Sequence, residues 1–185
     1  MIDKHLKKYN IFFLDRDGVI NENRFVNTPE EFEFLPRSLE ALRMLKNMRK
    51  TVFIATNQGG IEAGYLTEET LQAIHDQMLG EIIKTGGKIR EVYHCPHLDT
   101  ECECRKPKPG MIFKALETYN LRHTAESECC FIGDHLTDWQ AAIAAGIDPI
   151  AVKSSRHWDQ EAYRFMNKHK IPFHYSLYQA VLAHT

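Results

Sequence analysis

A three-layer α/β/α, Rossmann-like fold on a mainly parallel sheet is what the residue pattern predicts, and three observations predict it. Short apolar runs recur along the chain without the strict polar alternation of a half-exposed strand. Between them lie longer stretches with helical spacing and recognisable caps. The resulting order is strand, helix, strand, helix, which closes through crossovers onto a parallel sheet covered on both faces. At 185 residues, 43% of them hydrophobic and 26% charged, the chain has the length and apolar content of one ordinary globular domain over residues 1–185.

The strand runs are Ile11–Leu14, Thr51–Ala55, Glu91–His94, Cys129–Ile132 and Pro149–Val152. Ser38 stands where it can cap a helix carrying Leu39, Leu42, Leu45 and Met48. Thr67 can cap a second, with Glu68 and Glu69 in the first turn, where the helix dipole favours acids, and Leu71, Ile74, Met78 and Ile82 as its apolar stripe. Gly86–Gly87 closes it. A third helix begins near Pro109 and runs towards Tyr119, and a fourth begins near Thr137 and stops at Gly146. Beyond Ser154 the pattern gives a helix, a short strand around Phe173–Tyr175 and a last helix. No repeat, low-complexity tract or linker divides the chain.

Net charge is −2 with both signs mixed, which offers no basic channel for nucleic acid and no field for an anionic membrane. The apolar run Ile11–Leu14 is interrupted by Asp15 and is too short for a signal peptide or a span. Small-molecule chemistry in a monomeric, cytoplasmic protein is the expectation. Of five cysteines, three fall in the ten residues from Cys95 to Cys104, beside His97. That distribution suits reduced thiols around a metal better than a disulfide framework. Cys129 and Cys130 read as buried strand residues, and His94 as a packed or exposed strand-end histidine.

In parallel sheets ligands bind beyond the strand C-termini, so the chemistry belongs in DRDG, TNQGG, CPHLDTECECRKPKPG and GDHLTD. Asp15 and Asp17 flank Arg16 directly after the first strand, and period-two geometry aims both carboxylates to one side. Two such carboxylates repel unless a divalent cation sits between them, and oxygen donors of this kind suit magnesium. One can attack phosphorus, and the other can protonate the leaving oxygen and later activate water. Gly18 lets the backbone turn sharply. Thr56 and Asn57 leave the second strand with a hydroxyl and backbone donors for phosphoryl oxygens, and Lys106 adds the cation that a pentavalent phosphoryl group needs. Asp134 offers a third carboxylate to the metal, and Asp138, one turn on, orients that loop, or else caps its helix start or is solvated there.

FLDRDG, ATNQ, RKPKPG and FIGDHLTD, in this order at these strand ends, resemble the four motifs of the haloacid dehalogenase-like (HAD) superfamily of aspartate-nucleophile phosphatases. The resemblance covers roughly residues 9 to 152. It implies Asp15 as nucleophile, Asp17 as general acid/base, Thr56 and Lys106 as phosphoryl stabilisers, and magnesium among Asp15, Asp17 and Asp134, with Asp17 contributing its main-chain carbonyl. No stretch is long enough for a separate cap, so the site is expected to be open.

Cys95-Pro-His97 and Cys102-Glu-Cys104 form two short ligand pairs four residues apart, a set suited to tetrahedral structural zinc. Four protein ligands leave no open position for catalysis. The same pattern ahead of RKP is similar to the capless subgroup holding the heptose 1,7-bisphosphate 7-phosphatases and the histidinol-phosphate phosphatases. The length of the zinc loop is closer to the second of these. RKPKPGM, NQGGIEAGYLTEE and EFEFLP look more like the first, which is favoured; histidinol phosphate is the alternative substrate. On that resemblance Asn57, Gln58, Gly59 and Arg105 contact the substrate, as does His135, and residues 23–26 face the entrance. Two positions depart from it: Val19 replaces the usual threonine, and His135 replaces a lysine usual in the heptose enzymes. A zinc-braced binding protein without catalysis is the reading from another class, and the presence of all five central positions, Asp15, Asp17, Thr56, Lys106 and Asp134, argues against it.

Overall fold

A computed structural model describes residues 8–22, 25–98, 101–121, 128–153 and 158–185. Its centre is a six-stranded sheet in the order β3-β2-β1-β4-β5-β6, with every pairing parallel. The elements run β1 (Ile11–Leu14), α1 (Ser38–Asn47), β2 (Thr51–Asn57), α2 (Glu68–Lys84), β3 (Glu91–Cys95), α3 (Gly110–Thr118), β4 (Cys129–Gly133), α4 (Leu136–Ala144), β5 (Asp148–Val152), α5 (Gln160–His169), β6 (Phe173–His174) and α6 (Leu177–His184). A single 3-10 turn, Pro29–Glu31, precedes α1. The expected strands and helices are all found, β2 two residues longer than its apolar run because Thr56 and Asn57 still pair with His94 and Cys95 of β3.

Alternate residues of β1, β2 and β4 feed two separate cores on opposite faces of the sheet, which is why those runs are apolar throughout. Phe12, Leu14, Val52, Ile54, Cys130 and Ile132 pack under α1, α2 and α6, through Leu42, Leu45, Ile74, Met78 and Val181. Phe13, Phe53, Phe131 and Tyr93 turn the other way, onto Ile112, Ala115 and Leu116 of α3 and Ala141 and Ala142 of α4. The Phe13 ring stacks on Phe53 at 5.2 Å. Removing one such buried ring costs about 3–5 kcal/mol, so the strands that carry the site are firmly packed on both faces. Val19 is 1% exposed and belongs to the first core, which explains a hydrophobic residue there.

The α1 cap differs from expectation. Ser38 is the first helical residue; Arg37, in the left-handed region at φ 64, is the cap, and the Ser38 hydroxyl is buried without a hydrogen bond. The turn is held from outside instead, by the Arg37 guanidinium on Glu40 at 2.8 Å and over the Tyr178 ring at 3.4 Å. Thr67 caps α2 as expected, its hydroxyl accepting from the Thr70 amide. No cap unit stands over the C-terminal edge of the sheet among the described residues, and no helix among them is long and apolar enough to cross a membrane.

Candidate active site

The chemical residues stand at the C-terminal ends of the strands or in the segments that follow them: Asp15 and Asp17 after β1, Thr56 and Asn57 at the end of β2, Asp134 after β4, and Lys106 in the loop between β3 and α3. The Asp15 amide still donates to the Ile132 carbonyl at 3.0 Å, so the nucleophile candidate is clamped between β1 and β4. The chain then tightens into a turn in which the Arg16 carbonyl accepts from the Val19, Ile20 and Asn21 amides. Gly18, at φ +87, is required twice over: a side chain is strained in that conformation, and a Cβ would fall 2.3 Å from Asp134 Oδ2. The turn after β1 thus rests against the carboxylate that follows β4.

Asp15, Asp17, Thr56, Asn57, Gln58, Gly59, Arg105, Lys106, Asp134 and His135 all line one cleft of about 460 Å³. Lys106 lies at its floor, 4% exposed, with its ammonium 2.8 Å from Asp15 Oδ1 and 2.7 Å from Asp138 Oδ1. Burial disfavours that charge, but the Asp138 and Asp15 carboxylates outweigh it and hold the ammonium well above the usual lysine range. Asp138 closes the capping box of α4 by accepting from the His135 amide at 3.0 Å, one of the roles expected of it, and it also anchors Lys106, a role its sequence context did not suggest. At 1% exposure it is not solvated.

Carboxylate oxygens of Asp15, Asp134 and Asp138 lie within 4.8 Å of one another. The Asp17 carboxylate lies outside that group. It accepts from Gln58 Nε2 at 2.8 Å, Asn21 Nδ2 at 2.9 Å and the Arg16 guanidinium at 3.0 Å. Burial raises its pKa above the ordinary value against the opposing pull of Arg16, and Asp15 pushes it up further. These four carboxylates face two buried cations, Lys106 and Arg16, leaving an excess of two negative charges when all are ionised. A hard divalent cation with oxygen preference fits both the charge and the donor set.

The residues expected to touch substrate divide by what their polar atoms do. Asn57 grips the Lys106 main chain, its amide donating to the carbonyl and accepting from the N–H, both at 3.0 Å. Gln58 bridges Asp17 to Thr56 Oγ1, the second bond being 2.9 Å. His135 accepts from the Thr137 amide through Nδ1 at 3.4 Å, which ties its ring to its own helix start. Arg105 donates to the His97 carbonyl at 2.5 Å and still borders the cleft. Of the entrance segment, Asn23 and Arg24 lie outside the described residues, while Phe25 and Val26 line the cleft.

Two residues were not anticipated. Arg16 is wholly buried, and its NH1 reaches His75 Nε2 at 3.2 Å. Burial, the Arg16 charge and His94 together push the His75 pKa down to about 3, so the ring is neutral and its Nε2 accepts. The signal was present: His75 falls on the apolar stripe of α2, four residues after Leu71, where a histidine needs a partner.

Beside the cleft, Cys95, His97, Cys102 and Cys104 bring four donor atoms within 4.8 Å of one another. Cys95 Sγ lies 3.6 Å from Cys102 Sγ and 3.5 Å from His97 Nδ1, and Cys102 lies 3.5 Å from Cys104. Zn–S bonds of about 2.3 Å at tetrahedral angles set an S–S edge of about 3.8 Å; the two edges to Cys102 are near that length, and the Cys95–Cys104 edge, at 3.0 Å, is shorter. The loop packs against the β2 end: a Cβ on Gly59 would lie 2.9 Å from Leu98 Cδ2 and 3.2 Å from Arg105 NH1. The thiol loop is one wall of the cleft.

Residues 103–176 match the HAD-hydrolase-like family model. The chain is 40% identical over 158 residues to the D-glycero-alpha-D-manno-heptose-1,7-bisphosphate 7-phosphatase of Campylobacter jejuni, covering 85% of this chain and 90% of that protein. It is 38% identical over 149 residues to the D-glycero-beta-D-manno-heptose-1,7-bisphosphate 7-phosphatase of Pseudomonas putida, covering 79% and 83%. The fold superposes with a TM-score of 0.82 on the crystal structure of D,D-heptose 1,7-bisphosphate phosphatase from B. bronchiseptica complexed with magnesium and phosphate, at 33% identity over 94% of this chain and 96% of that one. With this identity over nearly the whole of its relatives, the chain belongs to the haloacid dehalogenase-like phosphatases, in the subgroup of the heptose 1,7-bisphosphate phosphatases.

Proposed function

We propose that the chain removes the 7-phosphate of a D-glycero-D-manno-heptose 1,7-bisphosphate through an aspartyl-phosphate on Asp15, with magnesium at Asp15, Asp134 and the Asp17 carbonyl. The carrying observation is the meeting of Asp15, Asp134 and Asp138 with Lys106 at the floor of an open cleft. The activity of the Campylobacter jejuni and Pseudomonas putida relatives supports the substrate.

An Asp15 oxygen attacks phosphorus, the P–O ester bond breaks, and its electron pair leaves on the sugar oxygen, which takes a proton from Asp17. Asp17 then accepts a proton from water as that water attacks the aspartyl-phosphate, releasing inorganic phosphate and restoring Asp15. Lys106 holds a phosphoryl oxygen through both steps, and Asp138 fixes the ammonium for that task without itself touching substrate. The Thr56 hydroxyl supplies another donor. When bound, magnesium draws negative charge from the phosphoryl oxygens. Asn57, Gln58, Gly59, Arg105 and His135 form the surface that meets the sugar. A structural zinc at Cys95, His97, Cys102 and Cys104 holds the wall carrying Arg105 and Leu98.

Turnover of heptose 1,7-bisphosphate and of histidinol phosphate, measured with magnesium and with chelator, tests this reading. Magnesium-dependent preference for the heptose is expected, with phosphate trapped on Asp15 and lost in Asp15→Asn. Preference for histidinol phosphate overturns the substrate, and trapping elsewhere overturns the nucleophile.

A further inference from the structure

Three side chains with four donor nitrogens converge on the Asp17 carboxylate, and they come from two sides. Gln58 lines the cleft and reaches Asp17 Oδ2 at 2.8 Å, while Asn21, fully buried, reaches Oδ1 at 2.9 Å. Behind, the Arg16 guanidinium embraces both carboxylate oxygens, Nε to Oδ1 and NH2 to Oδ2, each at 3.0 Å. Neither Arg16 nor His75 lines the cleft. Arg16 is 0% exposed and His75 4%.

A buried ion pair is poor grounds for stability, because well-packed apolar groups of the same volume often do as well or better. Its value is geometric: a bidentate guanidinium fixes both the position and the plane of a carboxylate. An acid that must deliver a proton to one oxygen of a departing sugar depends on such placement, since a displacement of about 1 Å can cost about 10²-fold in rate. Arg16 can only do this if its own fork is fixed, and His75 supplies that from α2, its neutral Nε2 accepting from Arg16 NH1 at 3.2 Å. His75 in turn has the His94 ring 6.1 Å away at the end of β3, so the brace spans from α2 to the strand that starts the thiol loop.

We propose that Arg16, braced by His75, is a positioning residue that fixes the Asp17 carboxyl for proton transfer to the leaving oxygen. This rests on the reading of Asp17 as general acid, and the test separates the two. A sugar alkoxide needs a proton as it leaves and p-nitrophenolate does not; kcat/KM reports only steps up to formation of the aspartyl-phosphate, so the later activation of water drops out. Asp17→Asn is expected to lose about 10²–10⁴-fold in kcat/KM on the heptose bisphosphate and little on p-nitrophenyl phosphate. Arg16→Lys, which keeps the charge and loses the fork, is expected to lose about 10–10²-fold on the sugar and under about threefold on the aryl ester. His75→Leu should show the same split at about 3–10-fold, and His75→Gln, which keeps an acceptor, should restore most of it. Equal losses on both substrates in Arg16→Lys and His75→Leu overturn the positioning role while leaving Asp17 as the acid. If Arg16→Lys does not fold, the His75 pair decides alone: no split in His75→Leu, or no recovery in His75→Gln, overturns it. An Asp17→Asn variant without the split removes the acid role itself, and the role of Arg16 with it.

Discussion

Among the described residues two clusters have donor sets suited to metal, and they stand in opposite states. The carboxylates after β1 and β4 are held by the protein: Lys106 lies between Asp15 and Asp138, and the Gly18 turn rests on Asp134. The strands beneath them are fully buried. The Cys95–Cys104 cluster has one donor on a strand end and three on a loop, and its sulfur and nitrogen atoms face one another, with Sγ of Cys104 at 3.0 Å from Cys95 and 3.4 Å from His97 Nδ1. A metal added to the first meets a scaffold that already stands, so it contributes chemistry. A metal added to the second closes a loop that has no core of its own, so it contributes structure. Substitutions in the first should therefore alter rate and spare the fold, and those in the second should do the reverse.

The largest expected effect is at Asp15. Asp15→Asn should lower kcat by about 10⁴-fold or more, since a nucleophile removed from a concerted unit takes most of the catalysis with it. Its melting temperature should stay near that of the parent, because Lys106 keeps Asp138 as a partner. Steady-state kinetics beside calorimetry check both, and a large fall in melting temperature would break the contrast.

Removing two thiol ligands in Cys102→Ser/Cys104→Ser should abolish the metal found by elemental analysis. It should destabilise the protein by about 3 kcal/mol, or about 6–12 °C for a chain of this size. Activity on p-nitrophenyl phosphate should fall little, while KM for the heptose bisphosphate rises, because Arg105 is carried by His97 and Leu98 packs at Gly59. Unchanged melting would mean that the loop stands without its ion.

Asp138→Asn leaves the nucleophile in place and loosens the ammonium that faces it. A fall of about 30-fold in kcat is expected, on sugar and aryl esters alike, since Lys106 stabilises the phosphoryl group whatever the leaving oxygen. An effect confined to the sugar substrate would assign Asp138 to proton transfer instead.

The contrast also separates what could be read in the sequence from what could not. Asp15, Asp17, Thr56, Lys106 and Asp134 were legible because a parallel sheet places strand ends together, so contiguous motifs become neighbours without any knowledge of packing. The thiol cluster was legible from spacing alone. Asn57 and Gln58 could be placed at the cleft, but not the direction of their amides, which turn to Lys106 and Asp17 across 49 and 41 residues of chain. The Ser38 cap failed for a local reason: the left-handed Arg37 begins the helix one residue earlier than the hydroxyl could serve. Arg16 read as the spacer between two acids, and its pairing with His75 depends on how α2 packs, 59 residues away.

That pairing gives the smallest of the expected effects and the one that joins the two regions, because His75 bonds Arg16 on one side and lies against His94, the neighbour of Cys95, on the other. Its pKa is lowered from 6.5 to about 3, by burial first, then by Arg16 and by His94. The unfolded chain therefore takes up the proton before the folded one does. The stability tied to neutral His75 is whole above pH 6.5 and is lost as pH falls from there towards 3. Between pH 7 and 5.5, above the range of ordinary carboxylates, this one group should cost about 1 kcal/mol of stability. Denaturant titrations at the two pH values should show that loss in the parent and a smaller one in His75→Gln, which cannot be protonated. An equal loss in both would mean that His75 is as accessible to protons in the folded protein as in the unfolded chain, and that the brace behind Asp17 is looser than the 3.2 Å contact implies.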